Sequence, residues 1–133
     1  MRVFLDTNVL VSAFAARGIC TDLLETVIIE HELLVGRAVL AELERVLRTK
    51  VRVPAARCDE IVRFVTQEAT TTVDEAQPAE APVDPDDRRV LGEAIAASAE
   101  VFVTGDAAVV ELQSVGGMRV LTPRQFWEEL RER

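Results

Sequence analysis

The stretch Arg2-Val3-Phe4-Leu5-Asp6-Thr7-Asn8 is a brief apolar run that ends on an acid, and Glu100-Val101-Phe102-Val103-Thr104-Gly105-Asp106 repeats that pattern a hundred residues later. Runs this short and this apolar are what buried strands of a parallel sheet look like. As neighbouring parallel strands, about 4.8 Å apart, they carry Asp6 and Asp106 to the same edge, where open α/β sheets bind their ligands. Two carboxylates converging there require a cation.

Between these runs, strand and helix signals alternate, which predicts an α/β fold: a central parallel sheet of about five short strands flanked by helices on both sides. Thr7 or Asn8 caps a helix through Phe14 that Gly18 ends, and Asp22 with Glu25 resembles a capping box for the next. Leu33 to Val35 reads as the second strand. Helices follow from about 37 to 49 and, opened by Pro54 as a first-turn proline, from about 54 to 68. Thr70 to Val73 is β-branched and reads as a short strand. Asp74 to Pro85 carries three prolines and four acids and reads as a loop. A helix from 86 to 99, the Val101 strand, a short helix from Ala107 to Leu112, an edge strand at Val120 and Leu121 and a last helix capped by Thr122-Pro123 complete the chain. Gly116-Gly117 is a turn.

The 133 residues are one domain's worth, expected as a single domain over 1–133. No uninterrupted apolar run approaches the roughly 20 residues of a membrane span, and with only three apolar residues between Arg2 and Asp6 export is not expected. Cys20 and Cys58 are isolated and fit a reducing, cytoplasmic setting as two small apolar residues. The net charge of −8 argues against bulk electrostatic capture of nucleic acid. The charge is nevertheless uneven: residues 37 to 63 hold seven basic side chains against four acids, and residues 68 to 87 hold seven acids and no base. Taken alone, each is explained as well by solvated helix faces and an acidic loop.

The acids separate by position. On the helix from 86 to 99, Val90, Leu91, Ala94, Ile95 and Ser98 define one face, Asp87 falls near its centre and Asp86 well to the side. A carboxylate aimed into an apolar face costs several kcal/mol unless paired, protonated or metal-bound, although a first-turn position softens the cost. On the helix from 37 to 49, Glu42 and Glu44 sit on opposite borders of the face made by Val39, Leu40, Leu43, Val46 and Leu47, and periodicity does not choose between them. Exposed pairs of Glu44 with Arg48 or Glu42 with Arg45 are the plain alternative. Asp6 and Asp106 are each also explicable as helix caps. Three or four carboxylates sharing one volume are made tolerable by a hard cation such as Mg²⁺ or Mn²⁺.

Asp6-Thr7-Asn8-Val9-Leu10 after a strand, Ala41-Glu42-Leu43-Glu44-Arg45-Val46-Leu47 in a helix, Asp84-Pro85-Asp86-Asp87 opening another and Val103-Thr104-Gly105-Asp106 after a late strand resemble the PIN domain. More narrowly, they are similar to the VapC-like ribonuclease toxins of toxin–antitoxin systems. By position, the resemblance implies an acidic catalytic and metal site of Asp6, Glu42, Asp87 and Asp106, with Asn8 and Thr104 in support, and it selects Glu42 over Glu44. Many relatives place another Asp shortly after the Gly-Asp pair, where Ala107-Ala108-Val109 stand here; Asp86 is the candidate substitute. The resemblance implies a PIN-like fold, an endoribonuclease cutting single-stranded RNA with one or two Mg²⁺ or Mn²⁺, a small antitoxin partner and a homodimer, with no membrane. The basic side chains from Arg37 to Arg63 are candidates to hold flanking phosphates. The single histidine, His31, leaves histidine-driven catalysis little to work with. Two alternatives are a haloacid-dehalogenase-like phosphatase with Asp6 as nucleophile, which needs an Asp where Asn8 stands, and an inactive PIN-like binding module.

Overall fold

Residues 1–132 are described by a computed structural model, and their elements alternate along the chain: β1 (Arg2–Leu5), α1 (Thr7–Ala15), α2 (Ile19–Glu30), β2 (Glu32–Gly36), α3 (Arg37–Thr49), α4 (Ala55–Glu68), β3 (Thr71–Val73), α5 (Pro85–Ala96), β4 (Val101–Val103), α6 (Ala107–Val110), β5 (Ser114–Val115), β6 (Met118–Leu121) and α7 (Pro123–Arg131). The strands form one sheet in the order β3-β2-β1-β4-β6-β5, parallel throughout except for the β5–β6 hairpin. Every residue of β4, and Val3, Phe4 and Leu5 of β1, is buried. Successive strand side chains point to opposite faces, so burial of all of them means the sheet centre is covered on both faces.

β1 pairs with β2 on one side and β4 on the other. The chain therefore reverses its direction of growth across the sheet between these two strands, and the crevice beyond their carboxyl ends is the topological switch point. The pairing is in register, with Leu5 opposite Val103, and Asp6 N–H continues the ladder to Val103 O at 2.9 Å. Phe4 and Phe102 stack beneath it, with centroids 5.6 Å apart.

Several expectations need correction. The sheet has six strands, and Val120 and Leu121 lie in β6 between β4 and β5, not on the edge. The edge is Ser114–Val115, too short for periodicity to register; it pairs with β6 through Gly116-Gly117, whose φ values of 55° and 84° suit a two-residue hairpin. Helix α2 starts at Ile19 after Gly18, so Asp22 is inside the first turn; Thr21 Oγ1 makes the cap contact, accepting from Gly18 N–H at 3.3 Å. Pro54 is the cap of α4, just before its first turn.

The buried face of α5 also differs from the expected one. Ile95 is 43% exposed, whereas Glu93 is only 4% exposed. Glu93 is buried because it serves another helix: its Oε2 accepts the Ala38 N–H at 2.8 Å, at the amino end of α3, whose own cap residue Gly36 has no side chain to offer. Burial still pushes its carboxyl above the usual range. A Cβ on Gly36 would collide with the Glu93 carboxylate, so the glycine and the acid are matched. At Gly92 the approach is from the other side, where a Cβ would run into the Gln77 backbone; together with Ala79 N–H to Arg88 O at 2.8 Å, this pins the proline-rich acidic loop onto α5.

The match of Gly36 to Glu93 generates a double-mutant test by denaturant unfolding. Glu93→Ala should cost about 1–3 kcal/mol by leaving buried donors unsatisfied, and Gly36→Ala a similar amount by overpacking. The Gly36→Ala cost should shrink in the Glu93→Ala background without vanishing, because the Cβ at position 93 stays and also meets the added methyl, and simple additivity would refute the contact.

Candidate metal centre

Asp6 is the first residue past β1 and the cap of α1. Its Oδ1 accepts from Thr7 N–H at 2.8 Å, and its Oδ2 accepts from Thr104 Oγ1 at 2.8 Å and from Asn8 Nδ2 at 3.2 Å. Thr104 is fully buried just past β4, and its hydroxyl also accepts the Asp106 N–H at 3.1 Å. Asn8 closes the network, since its Oδ1 accepts the Gly105 N–H at 2.8 Å. One threonine hydroxyl thus ties the acid at the end of β1 to the loop bearing the acid that caps α6. Asp106 Oδ1 accepts the Ala108 N–H at 2.9 Å.

Two more elements bring their acids to the same place. Asp84 caps α5 and accepts the Asp87 N–H at 3.1 Å, and Asp87 stands in the first turn as expected, half-buried. Glu42 and Val46 from α3 and Lys50 from its carboxyl cap, spaced by four residues, face the same cavity. Asp6, Glu42, Asp87 and Asp106 line one cavity of about 500 Å³, together with Asn8, Ser12, Lys50, Asp84 and Asp86. Asp86 sits 3.6 Å from Arg89 with its side chain 82% exposed. Glu44 turns away and pairs with Arg48 at 2.9 Å. His31 does not line the cavity; its Nδ1 lies 3.1 Å from the Met1 amino group. Cys58 is buried, with Sγ 3.4 Å from Val53 O, and Cys20 is half-buried; both are free thiols.

The crowding shows in proton affinity. Burial pushes the Asp87 carboxyl up to about 6, with the charges of Asp84, Asp106 and Asp6 adding to the rise. Asp6 is also raised, by burial first and then by Glu42 and Asp106, against the lowering effect of its bonds to Thr104 and Thr7. The donor set is therefore all hard oxygen, negatively charged and short of counter-charge, which suits Mg²⁺ or Mn²⁺. Among the described residues no group of three or more His, Cys, Asp or Glu side chains is arranged to hold a metal ion as it stands. The carboxylates share a cavity without forming a closed cage, which corrects the expectation of a single small volume. Mg²⁺ needs no such cage, because it keeps most of its waters and takes one or two carboxylates.

Of the other lining residues, Asp84 stood in the sequence only as the first residue of the Asp84-Pro85-Asp86-Asp87 motif and Lys50 only as one of the basic side chains from Arg37 to Arg63, whereas Ser12 has no signal beyond helical spacing from Asn8.

A cavity lined by acids from four helices or their caps thus lies at the switch point of a parallel α/β sheet. The PIN domain family model matches residues 2–108, and the chain belongs to that family. Among solved structures it is similar to a crystal structure of VapBC2 from Rickettsia felis bound to a DNA fragment from their promoter. The TM-score is 0.66 at 17% identity, with 92% of this chain and 98% of that one covered, a likeness of fold. The comparison with curated proteins gives no match.

A pH dependence follows for the metal-free protein. Asp87 binds its proton more tightly folded than unfolded, so its contribution to stability is full below about pH 4 and lost as pH rises through about 6. In EDTA, Asp87→Asn should melt increasingly above wild type as pH rises across that window. A melting difference independent of pH would contradict the crowding.

Proposed function

We propose that this protein is a Mg²⁺- or Mn²⁺-dependent endoribonuclease acting on single-stranded RNA, the toxin of a toxin–antitoxin pair. The observation that carries the proposal is the shared cavity of Asp6, Glu42, Asp87 and Asp106, with the proton affinity of Asp87 raised by burial and further by its acidic neighbours. VapBC2, similar in fold, supports the toxin–antitoxin assignment. The partners are a small cognate antitoxin and a second copy of the chain, the location is cytoplasmic, and residues 1–133 act as a single domain. No helix among the described residues is long and apolar enough to cross a membrane.

Asp6, Glu42, Asp87 and Asp106 would hold one or two ions, which when bound supply an activated water and offset charge developing at phosphorus. The chain's own part is orientation. Thr7, Thr104 and Asn8 fix both oxygens of Asp6 before any ligand enters, so little ordering is left to the bound state. Asn8 has its amide committed on both sides, to Asp6 and to Gly105, which leaves it a positioning role. Asp87 and Glu42 come from helices held together by the Glu93 contact to the amino end of α3. Asp84 and Asp86 add negative charge at the cavity wall, and Asp86 stands in for the acid that Ala107 and Ala108 do not supply.

The decisive trial is cleavage of single-stranded RNA by the purified protein with Mn²⁺. Asp6→Asn should lower the rate by about 100-fold or more, and EDTA should abolish it. Cleavage that survives unchanged in Asp6→Asn would overturn the site. A wild-type protein that neither cleaves RNA nor takes up Mn²⁺ in calorimetry would be a binding module instead.

A further inference from the structure

The amino end of α1 carries a hydroxyl for which the fold itself provides no partner. Thr7 is the first residue of α1 and only 6% exposed, yet its Oγ1 makes no hydrogen bond among the described residues. Two other buried side-chain atoms, Arg88 Nε and Glu93 Oε1, share that condition. Each of those belongs to a side chain with further polar atoms, and Glu93 bonds through Oε2. Thr7 has a single polar side-chain atom, and that atom is the orphan.

Local structure explains why no backbone group takes it. A threonine inside a helix can bond the carbonyl three or four residues back, but for Thr7 these residues are Phe4 and Val3, which belong to β1. Burying a hydroxyl unpaired is unfavourable, and a valine would fill the same branched shape without that cost. The residue type therefore calls for a partner from outside the chain.

The place for that partner is the acidic cavity. Thr7 and Val11 lie four residues apart on one face of α1, Asn8 and Ser12 on the adjoining strip, and all four line the cavity. Six carboxylates line it too, against one cation, Lys50, so an anionic partner is disfavoured there. Asp6, which accepts the Thr7 N–H at Oδ1, holds a fixed carboxylate one residue away. A hydrated divalent ion meets these conditions: Mg²⁺ keeps several of its waters, the ion's charge makes their hydrogens strong donors, and a threonine hydroxyl has lone pairs to accept them.

We propose that the Thr7 hydroxyl is a positioning group of the cation site, accepting a hydrogen bond from a water in the shell of the bound Mg²⁺ or Mn²⁺ and so holding the hydrated ion against Asp6. The proposal rests on the cation site of the reading above and not on what that site cuts.

The test is calorimetric titration with Mn²⁺ and thermal melting in EDTA, on Thr7→Val and Thr7→Ser beside the wild type. Thr7→Val keeps the branched shape and loses the hydroxyl, so in EDTA it should melt at or above the wild type, while its affinity for Mn²⁺ falls about tenfold or more. Thr7→Ser, which keeps the hydroxyl, should retain most of the affinity. Unchanged Mn²⁺ affinity in Thr7→Val beside a wild type that binds would overturn the inference and leave the nuclease reading standing. A Thr7→Val protein that melts well below the wild type in EDTA would overturn it as well, by showing that the hydroxyl has a partner within the chain. A wild type that binds Mn²⁺ without cutting RNA would overturn the nuclease reading alone, and one that takes up no Mn²⁺ would remove both.

Discussion

The in-register parallel pairing of β1 with β4 is the constraint on which the rest of the molecule depends. It sets Leu5 beside Val103, so that the next residues, Asp6 and Thr104, leave the sheet side by side. There the buried Thr104 hydroxyl donates to Asp6 and accepts from the Asp106 backbone. A slip of one residue would turn every side chain of β4 to the other face and break that bridge. The two helices that bring Glu42 and Asp87 are then fixed against this edge by the contact of Glu93 with the amino end of α3.

Structural and chemical roles coincide in the acids. Asp6, Asp84 and Asp106 are the caps of α1, α5 and α6, each accepting a backbone N–H of its own helix. Helix amino ends welcome negative charge, so three short loops can aim carboxylates at one cavity at a tolerable cost. The cost that remains is visible at Asp87, whose proton is held up to about 6 in a cavity where Lys50 is the one cation among the lining residues. A divalent ion bound there, as proposed, would relieve what the fold alone leaves uncompensated.

This economy also explains what the sequence disclosed. The two apolar runs ending in acid revealed the central strands because buried parallel strands leave no polar residue to blur the pattern, and helical periodicity placed Asp87 correctly. Glu42 and Glu44 could not be separated by periodicity, since both border the same face, and family resemblance was needed to choose the one that meets the cavity. Glu93 was missed for a physical reason: its burial answers to Gly36 and Ala38, more than fifty residues away, and no local pattern records such a partner. The strand Ser114–Val115 was missed because two residues carry no period, and Lys50 could not be told from the other basic side chains between Arg37 and Arg63 until the fold set it at the acidic cavity.

The central claim is that folding gathers these acids into a site for a divalent ion. Anomalous scattering from crystals grown with Mn²⁺ tests it most directly. The account predicts a manganese peak in the cavity within about 2.0–2.2 Å of oxygens from at least two of Asp6, Glu42, Asp87 and Asp106, with waters completing the shell. Manganese bound only elsewhere on the surface, with this cavity empty, would contradict it.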